Sequence, residues 1–350
     1  MKTKRIIFFL ALPLICFGLY ALICIGYAKL TYFQPAEKIV LSTKPENAPL
    51  TDSVFSAIIW NIGYAGLGAE TDFFYDGGKM MCPPQSWTEK YLMGIDGVLR
   101  SSNCDFYLLQ EVDRDSKRSY SIDQVEEILK DKALIKNFAV NYKVNYIPMP
   151  WTEPMGKVLG GLMTMSEYTP NQSIRFQLPG EFGFPKQLFF LRRCLLVNRY
   201  ALQNGHELVI INVHNSAYDE TGKLKRAEME YLKKMLELEY SQGNYIVVGG
   251  DWNQCPPGFA YDALSKGKEG DYVQTNVDSN YMPGWQWVAD RDFATNRKNN
   301  KAYNPKTTFT TLIDFYLLSP NISVQNIRGI PTEFAYSDHQ PVKLDFKLIQ

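Results

Sequence analysis

The chain is short of net charge, of histidine and of patterned cysteine. Lys+Arg and Asp+Glu each number 37 in 350 residues, so the formal net charge is zero. That removes any global electrostatic pull toward nucleic acid or an acidic membrane, while leaving room for a local basic patch. Only three histidines occur, His206, His214 and His339, so a motif that holds one stands out. Cys82, Cys104, Cys194 and Cys255 follow no regular spacing and form no CxxC, which argues against zinc. Disulfides and single buried thiols both stay open for these four, and no pairing is readable. There is no internal repeat and no low-complexity tract.

What the chain does have begins at its N-terminus. MKTKR is followed by Ile6 to Ala28, 23 residues without a charge. As a helix this run spans about 35 Å, enough to cross a bilayer core. The expectation is a single-pass anchor over residues 1–28, with the positive flank inside and the rest of the chain outside the cytoplasm. A cleaved signal peptide, giving a secreted protein, is the alternative; its apolar region is usually shorter. Residues 29–52 hold three prolines and little periodicity and read as a linker. One domain, 53–350, follows.

That domain alternates strand-like and helix-like segments. SVFSAIIWNI, DFYLLQEV, HELVIINVHNS, NYIVVGGDWN and TTLIDFYLLS are apolar and β-rich. Residues 91–102, 121–132 and 222–242 carry helical periodicity. The pattern predicts an α/β sandwich with sheets inside and helices outside.

The strands end alike. Apolar runs deliver Asn61, Glu111, His214 with Asn215, Asp251 with Asn253, Asp314, and Asp338 with His339. Each residue alone has a bland structural explanation, as a turn cap or a surface ion pair. A carboxylate such as Asp314 within an apolar strand is costly unless paired, and His339 supplies a partner. In GGDWN, Asp251 and Asn253 stand two apart, so an extended exit would turn both side chains one way and Trp252 the other.

WN (60–61), LLQEVD (108–113), VHNS (213–216), GGDWN (249–253), LIDF (312–315) and SDHQPV (337–342) occur in this order. This set resembles the endonuclease/exonuclease/phosphatase superfamily, the DNase I-like fold, across residues 54–348. The resemblance implies a four-layered α/β sandwich of two packed mixed β-sheets flanked by helices, and divalent-metal-dependent phosphoester hydrolysis by in-line water attack. By motif, it implies metal ligation by Glu111, with Asn61 and Asp338 beside the ion, and Mg²⁺ as cofactor, with Mn²⁺ or Ca²⁺ as substitutes. It implies catalysis by Asp251 on the water, by His339 oriented by Asp314, and by His214, with Asn253 on the phosphate. Asn215, Tyr64 and Arg193 are the expected further substrate contacts.

Flanking segments leave alternatives open. GYAGLGAETDFFYDGGKMMCPPQSW is either a solvated loop or a cleft wall using Tyr64, Asp76 and Lys79. Arg114, Lys117, Arg118 and Tyr120 either steer phosphate or lie in solvent. Arg192 and Arg193 interrupt an apolar run, so one of them is expected at the cleft or in an ion pair. With the anchor, a phospholipid head group or another small phosphodiester is the expected substrate. A nucleic acid cut by an exported nuclease, a small phosphomonoester and a catalytically inactive binding relative are the alternatives. No protein partner is evident.

Overall fold

The computed structural model describes residues 2–44, 46–217, 219, 221–260 and 275–349. Its strands are β1 (Lys38–Thr43), β2 (Val54–Asn61), β3 (Phe106–Asp113), β4 (Ile135–Ile147), β5 (Gly156–Ser166), β6 (Gln172–Gln177), β7 (Cys194–Ala201), β8 (Glu207–His214), β9 (Tyr245–Asp251), β10 (Gln286–Val288), β11 (Asn296–Arg297), β12 (Thr310–Thr311), β13 (Asp314–Leu318), β14 (Ile322–Gly329) and β15 (Val342–Leu348). Its helices are α1 (Lys2–Leu30), α2 (Gln85–Ser102), α3 (Gln124–Glu127) and α4 (Lys223–Ser241). One sheet runs β1-β6-β7-β8-β9-β13-β10 and the other β14-β15-β2-β3-β5-β4, with β11-β12 as a separate ribbon.

Strand periodicity explains the layering. Along β2 and β3, Ala57, Ile59, Phe106 and Leu108 face the other sheet and meet Leu208, Ile210, Val247 and Tyr316. The alternate residues Ile58, Trp60, Tyr107 and Leu109 face outward against Tyr91, Ile95 and Leu99 of α2. On the far side, Met229, Leu232 and Leu236 of α4 cover Val209, Ile211, Ile246 and Val248. The result is helix, sheet, sheet, helix, the expected four layers. These apolar runs are buried on both faces, which is why they read as continuous and not alternating.

Two crossovers place the site. β2 and β3 pair in parallel through α2, and β8 and β9 pair in parallel through α4. Parallel neighbours end at the same edge, so the polar ends of four strands reach one rim without any special loop.

The structure amends several expectations. Residues 29–52 are not all linker, because β1 pairs antiparallel with β6. The helix expected over 121–132 shrinks to Gln124–Glu127, with Asp123 capping its first N–H groups. Ile128 leaves in an extended conformation and Leu129 takes φ +50°, which inserts both into the core beneath α2. All six cysteines are free; Cys104, Cys194 and Cys255 are buried and Cys82 is half-buried. Arg192 and Arg193 precede β7 and do not interrupt it.

Helix α1 contains a 19-residue stretch, Leu12–Leu30, long and apolar enough to cross a membrane by length and composition. Its later half touches the domain. Phe17 and Tyr20 lie against the Trp151 ring at 4.7 and 5.7 Å, and the Tyr20 and Tyr146 hydroxyls are 3.1 Å apart.

Candidate active site

The strand ends converge at a cleft of about 720 Å³, lined in part by Asn61, Glu111, His214, Asp251, Asn253, Asp338 and His339. Asp251 closes β9 opposite His214 of β8 and Asp314 of β13. Sequence positions 214, 251 and 314 thus become lateral neighbours in one sheet.

Glu111 reaches the cleft through a bulge. The β3–β5 register shifts between Leu109 and Val112, and Glu111 sits at φ +53°. A bulge re-aims a side chain at the cost of local strain. Beneath it, Gln110 Nε2 donates to Asn212 Oδ1 at 2.7 Å, and Asn212 Nδ2 donates to the Leu109 and Met163 carbonyls at 3.0 Å. This buried amide pair supplies bonds that the interrupted ladder lacks.

The two glycines of GGDWN have separate reasons. A Cβ on Gly250, at φ +145°, would lie 2.1 Å from the Val213 carbonyl. A Cβ on Gly249 would meet Ile59 and the Tyr316 ring at 2.7 Å. Beyond Asp251 the chain does not continue extended. The Asn253 N–H donates to Asp251 Oδ1 at 2.9 Å, and Asn253 takes φ +49°. Both side chains reach the cleft through this Asx turn. Trp252 is buried on the other side, stacked on Phe315 at 5.1 Å.

The charges form a chain. His339 Nδ1 lies 2.8 Å from Asp314 Oδ2, its Nε2 is 3.0 Å from Asn296 Nδ2, and Nε2 is 3.8 Å from Asp251 Oδ2. Burial alone would lower the imidazole, but Asp314 and Asp251 outweigh it and push its pKa up to about 10. The proton of this buried pair therefore resides on the imidazole. His214 behaves oppositely: burial, reinforced by Arg193 and His339, holds its pKa well below the usual value. Neutral His214 has Nε2 3.4 Å from Asp251 Oδ2 and 3.8 Å from Glu111 Oε1.

The donor set beside Glu111 fits a hard divalent cation. Asp338 is pushed up to about 7 by burial, with Glu111 adding to the rise and His339 and Arg297 opposing it. Two neighbouring carboxylates in a buried cleft favour a cation between them, and all their donors are oxygen. Asp251, Asp314 and His339 also bring ligand-type atoms within 4.8 Å of one another. There, however, Asp314 holds His339 Nδ1, so that trio is better suited to proton handling than to ligation. Asn61 does not offer its oxygen outward. Its Oδ1 accepts from the Gly63 N–H, while Nδ2 donates to Asp251 Oδ2 at 3.0 Å and Glu111 Oε1 at 3.3 Å. Asn61, expected beside the ion, thus bridges two carboxylates through its Nδ2.

Other expected residues divide. Arg193 lines the cleft, with Nη1 3.5 Å from the His214 carbonyl. Arg192 turns away to Glu181 and Tyr32. Asp76 lines the cleft and Lys79 does not. Asn215 aims its amide at Met229 Sδ, 3.4 Å away, and offers only its carbonyl to Asn253. Tyr64 is buried beneath Arg118, whose guanidinium lies 3.8 Å from the ring centre. The expected substrate contacts of Asn215 and Tyr64 are therefore corrected to structural ones. Arg118 borders the cleft but pairs bidentately with Asp113, and Arg114 pairs with Asp123. Lys117 and Tyr120 bond to the carbonyls of Pro154 and Pro83.

Sequence reasoning missed Asn296, Lys225 and the apolar wall of the cleft. Lys225 lines it from α4 and donates to the Asn253 carbonyl at 2.9 Å. Phe73, Tyr75, Tyr142, Met155, Phe182 and Phe190 line another side. Asn296 sits in ATNRKN, which has no apolar run to frame it, and only its bridge to His339 reveals it.

Comparison with known proteins agrees with this geometry. The model of the Endonuclease/Exonuclease/phosphatase family matches residues 60–339. No curated protein sequence matches the chain. Among solved structures, an endonuclease/exonuclease/phosphatase from Beutenbergia cavernae is similar with TM-score 0.58 and 16% identity, over 85% of this chain and 72% of that one. ANGEL2, a 2′,3′-cyclic phosphatase, gives 0.56 and 13%, over 90% and 99%. The human Nocturnin catalytic domain with bound sulfate gives 0.52 and 16%, over 89% and 97%. At these identities the structures establish the fold, and the sequence model establishes the kinship: the chain belongs to the endonuclease/exonuclease/phosphatase family, a family of metal-dependent phosphoester hydrolases.

Proposed function

We propose that this chain is a membrane-anchored, Mg²⁺-dependent phosphodiesterase that hydrolyses a phospholipid head group or another small phosphodiester. The observation that carries the catalytic part is the Asp314–His339–Asp251 alignment, 2.8 Å on one side of the imidazole and 3.8 Å on the other, beside the Glu111 carboxylate. Glu111 and Asp338 would hold the cation, with Asn61 fixing Glu111. The bound ion would supply charge stabilisation to phosphate oxygens.

The chain's own residues then account for the remaining steps. Asp251 accepts a hydrogen bond from the attacking water and takes its proton, with Asn61 and His214 holding the carboxylate in place. As the water oxygen bonds to phosphorus and the ester P–O bond breaks, His339, protonated and oriented by Asp314, donates its Nε2 proton to the leaving oxygen, where charge grows in the transition state. Asn253, Arg193 and Lys225 present donors to the remaining oxygens. Asn296 flanks His339 Nε2 at the cleft, and a protonated Nε2 meets this amide only through its oxygen. The apolar wall excludes water from the other side of the phosphate.

The anchor rests on α1 and the lipid reading on the anchor together with the apolar wall. A nuclease is the second reading, because half-buried rings that line the cleft, such as Tyr75 and Phe190, also suit base stacking. Full-length protein in detergent micelles with Mg²⁺ is tested on bis-p-nitrophenyl phosphate, phospholipid, DNA and RNA. Metal-dependent turnover lost in Asp251→Ala and His339→Ala supports the hydrolase; equal background in all three proteins refutes it. The ranking of the four substrates decides between the readings.

A further inference from the structure

The segment from Gly180 to Arg193 joins the cleft to the N-terminal helix. On one side Phe182, Phe190, Leu191 and Arg193 line the cleft. On the other, Glu181 and Arg192 bind Tyr32, two residues beyond the end of α1: the Tyr32 hydroxyl donates to Glu181 at 2.8 Å, and Arg192 Nη1 donates to Tyr32 at 3.1 Å. Lys186 lies over the Phe182 and Phe190 rings at 4.0 and 4.7 Å and fixes the fold of the loop. Phe184 at the tip is 65% exposed, and Trp151, beside the helix, is 53% exposed.

We infer that this lip, with Phe184 at its tip and Trp151 beside it, docks on the lipid bilayer that holds α1, so that the cleft opens at the membrane surface. Continuity carries the argument. Phe17 lies within the apolar stretch Leu12–Leu30 and its ring touches Trp151. Whatever surrounds that part of the helix also meets Trp151. The outward face of α1 presents Leu14, Ile15, Leu19, Leu22 and Ile23 at 51–74% exposure, and no other segment among the described residues covers it. A bilayer satisfies that face with α1 lying along its surface, because Phe17, at the middle of the uncharged run Ile6–Ala28, is packed on the domain; tryptophan, phenylalanine and lysine together are the composition favoured there. The loop then has one side at the lipid and the other at the phosphoester site. The path from Phe184 past Phe182 and Phe190 to Arg193 is apolar first and cationic last, which matches an acyl chain followed by a head-group phosphate.

The inference rests on the membrane reading of α1 given above and not on the chemistry, so the two are tested apart. Full-length protein is reconstituted in phosphatidylcholine vesicles with and without acyl-brominated lipid. Phe184→Trp is placed in a Trp151→Phe background, and the signal of each probe is taken as the difference from Trp151→Phe alone, because five other tryptophans remain. Fluorescence from position 184 and from Trp151 should be quenched by brominated lipid and shielded from aqueous acrylamide. Phe184→Ser should leave turnover of bis-p-nitrophenyl phosphate within about twofold of wild type. It should lower turnover of vesicle phospholipid about tenfold, the effect of withdrawing one aromatic side chain from lipid. Unquenched, acrylamide-accessible probes at both positions overturn the docking whatever the activity. Quenched probes with no turnover of either substrate by wild type keep the docking and refute the hydrolase.

Discussion

His339 and Asp314 face each other at 2.8 Å inside the sheet edge, fully enclosed, with the imidazole's other nitrogen turned to the cleft. Asp314 both orients the ring and raises its proton affinity. Asp314→Asn retains the shape and removes the charge. Activity should fall by about two to four orders of magnitude. Loss of the carboxylate also lowers the His339 pKa, so the alkaline limb of the kcat/KM profile should move to lower pH. A profile that keeps its alkaline limb would show that His339 is not held protonated by Asp314.

Asp338 gives a pH dependence with a definite sign. Its folded pKa, about 7, lies above the ordinary 3.8. In metal-free protein this group contributes stability below about pH 4 that is lost as pH rises through about 7. A bound cation removes that penalty. Mg²⁺ should therefore raise Tm more at pH 8 than at pH 5, and Asp338→Asn should flatten the difference. Equal Mg²⁺ shifts at both pH values in the wild type would remove Asp338 from the metal site.

Gly250 cannot carry a side chain. A Cβ there would approach the Val213 carbonyl to 2.1 Å at φ +145°. Gly250→Ala should destabilise by about 3 kcal/mol or more, through forced backbone movement and strain. Gly258→Ala is the control, because although its φ is also positive at +66°, nothing lies within 4 Å of its Cβ. Thermal unfolding of the two variants should differ clearly, and equal Tm values would contradict the β8–β9 contact.

Arg118 tests buried charge and not catalysis. It pairs with Asp113 through two bonds of 2.9 and 3.0 Å, and Ser119 also donates to that carboxylate. Arg118→Ala strands Asp113, so stability should fall by about 3–5 kcal/mol. Asp113→Asn together with Arg118→Met should recover much of it, measured by urea unfolding. If the double variant is no more stable than Arg118→Ala, the pair is not the source of the loss.

The sequence by itself determined the layers and most of the rim. Apolar β-branched runs of strand length, separated by helical periodicity, leave few arrangements, and a run that ends in a polar group announces a strand end. Glu111, Asp251, Asp314 and His339 were legible for that reason: a polar residue bordering an apolar strand is costly unless something pairs with it. Tertiary structure decided the direction of each side chain. Asn215 and Tyr64 both follow a strand that ends at the rim, yet one turns to Met229 and the other lies beneath Arg118. Asn253 reaches the cleft by a turn and not by strand alternation, because its own N–H bonds back to Asp251. Asn296 comes from a segment with no apolar frame and Lys225 from a helix surface, while the aromatic wall gathers Tyr142 of β4 with loop residues such as Phe73, Tyr75 and Phe190, so only long-range packing brings them to the phosphoester site. GGDWN marks the difference. Its glycines and acid were readable as a site, but the neighbours that demand them, Val213, Ile59 and Tyr316, are adjacent only in the folded sheets.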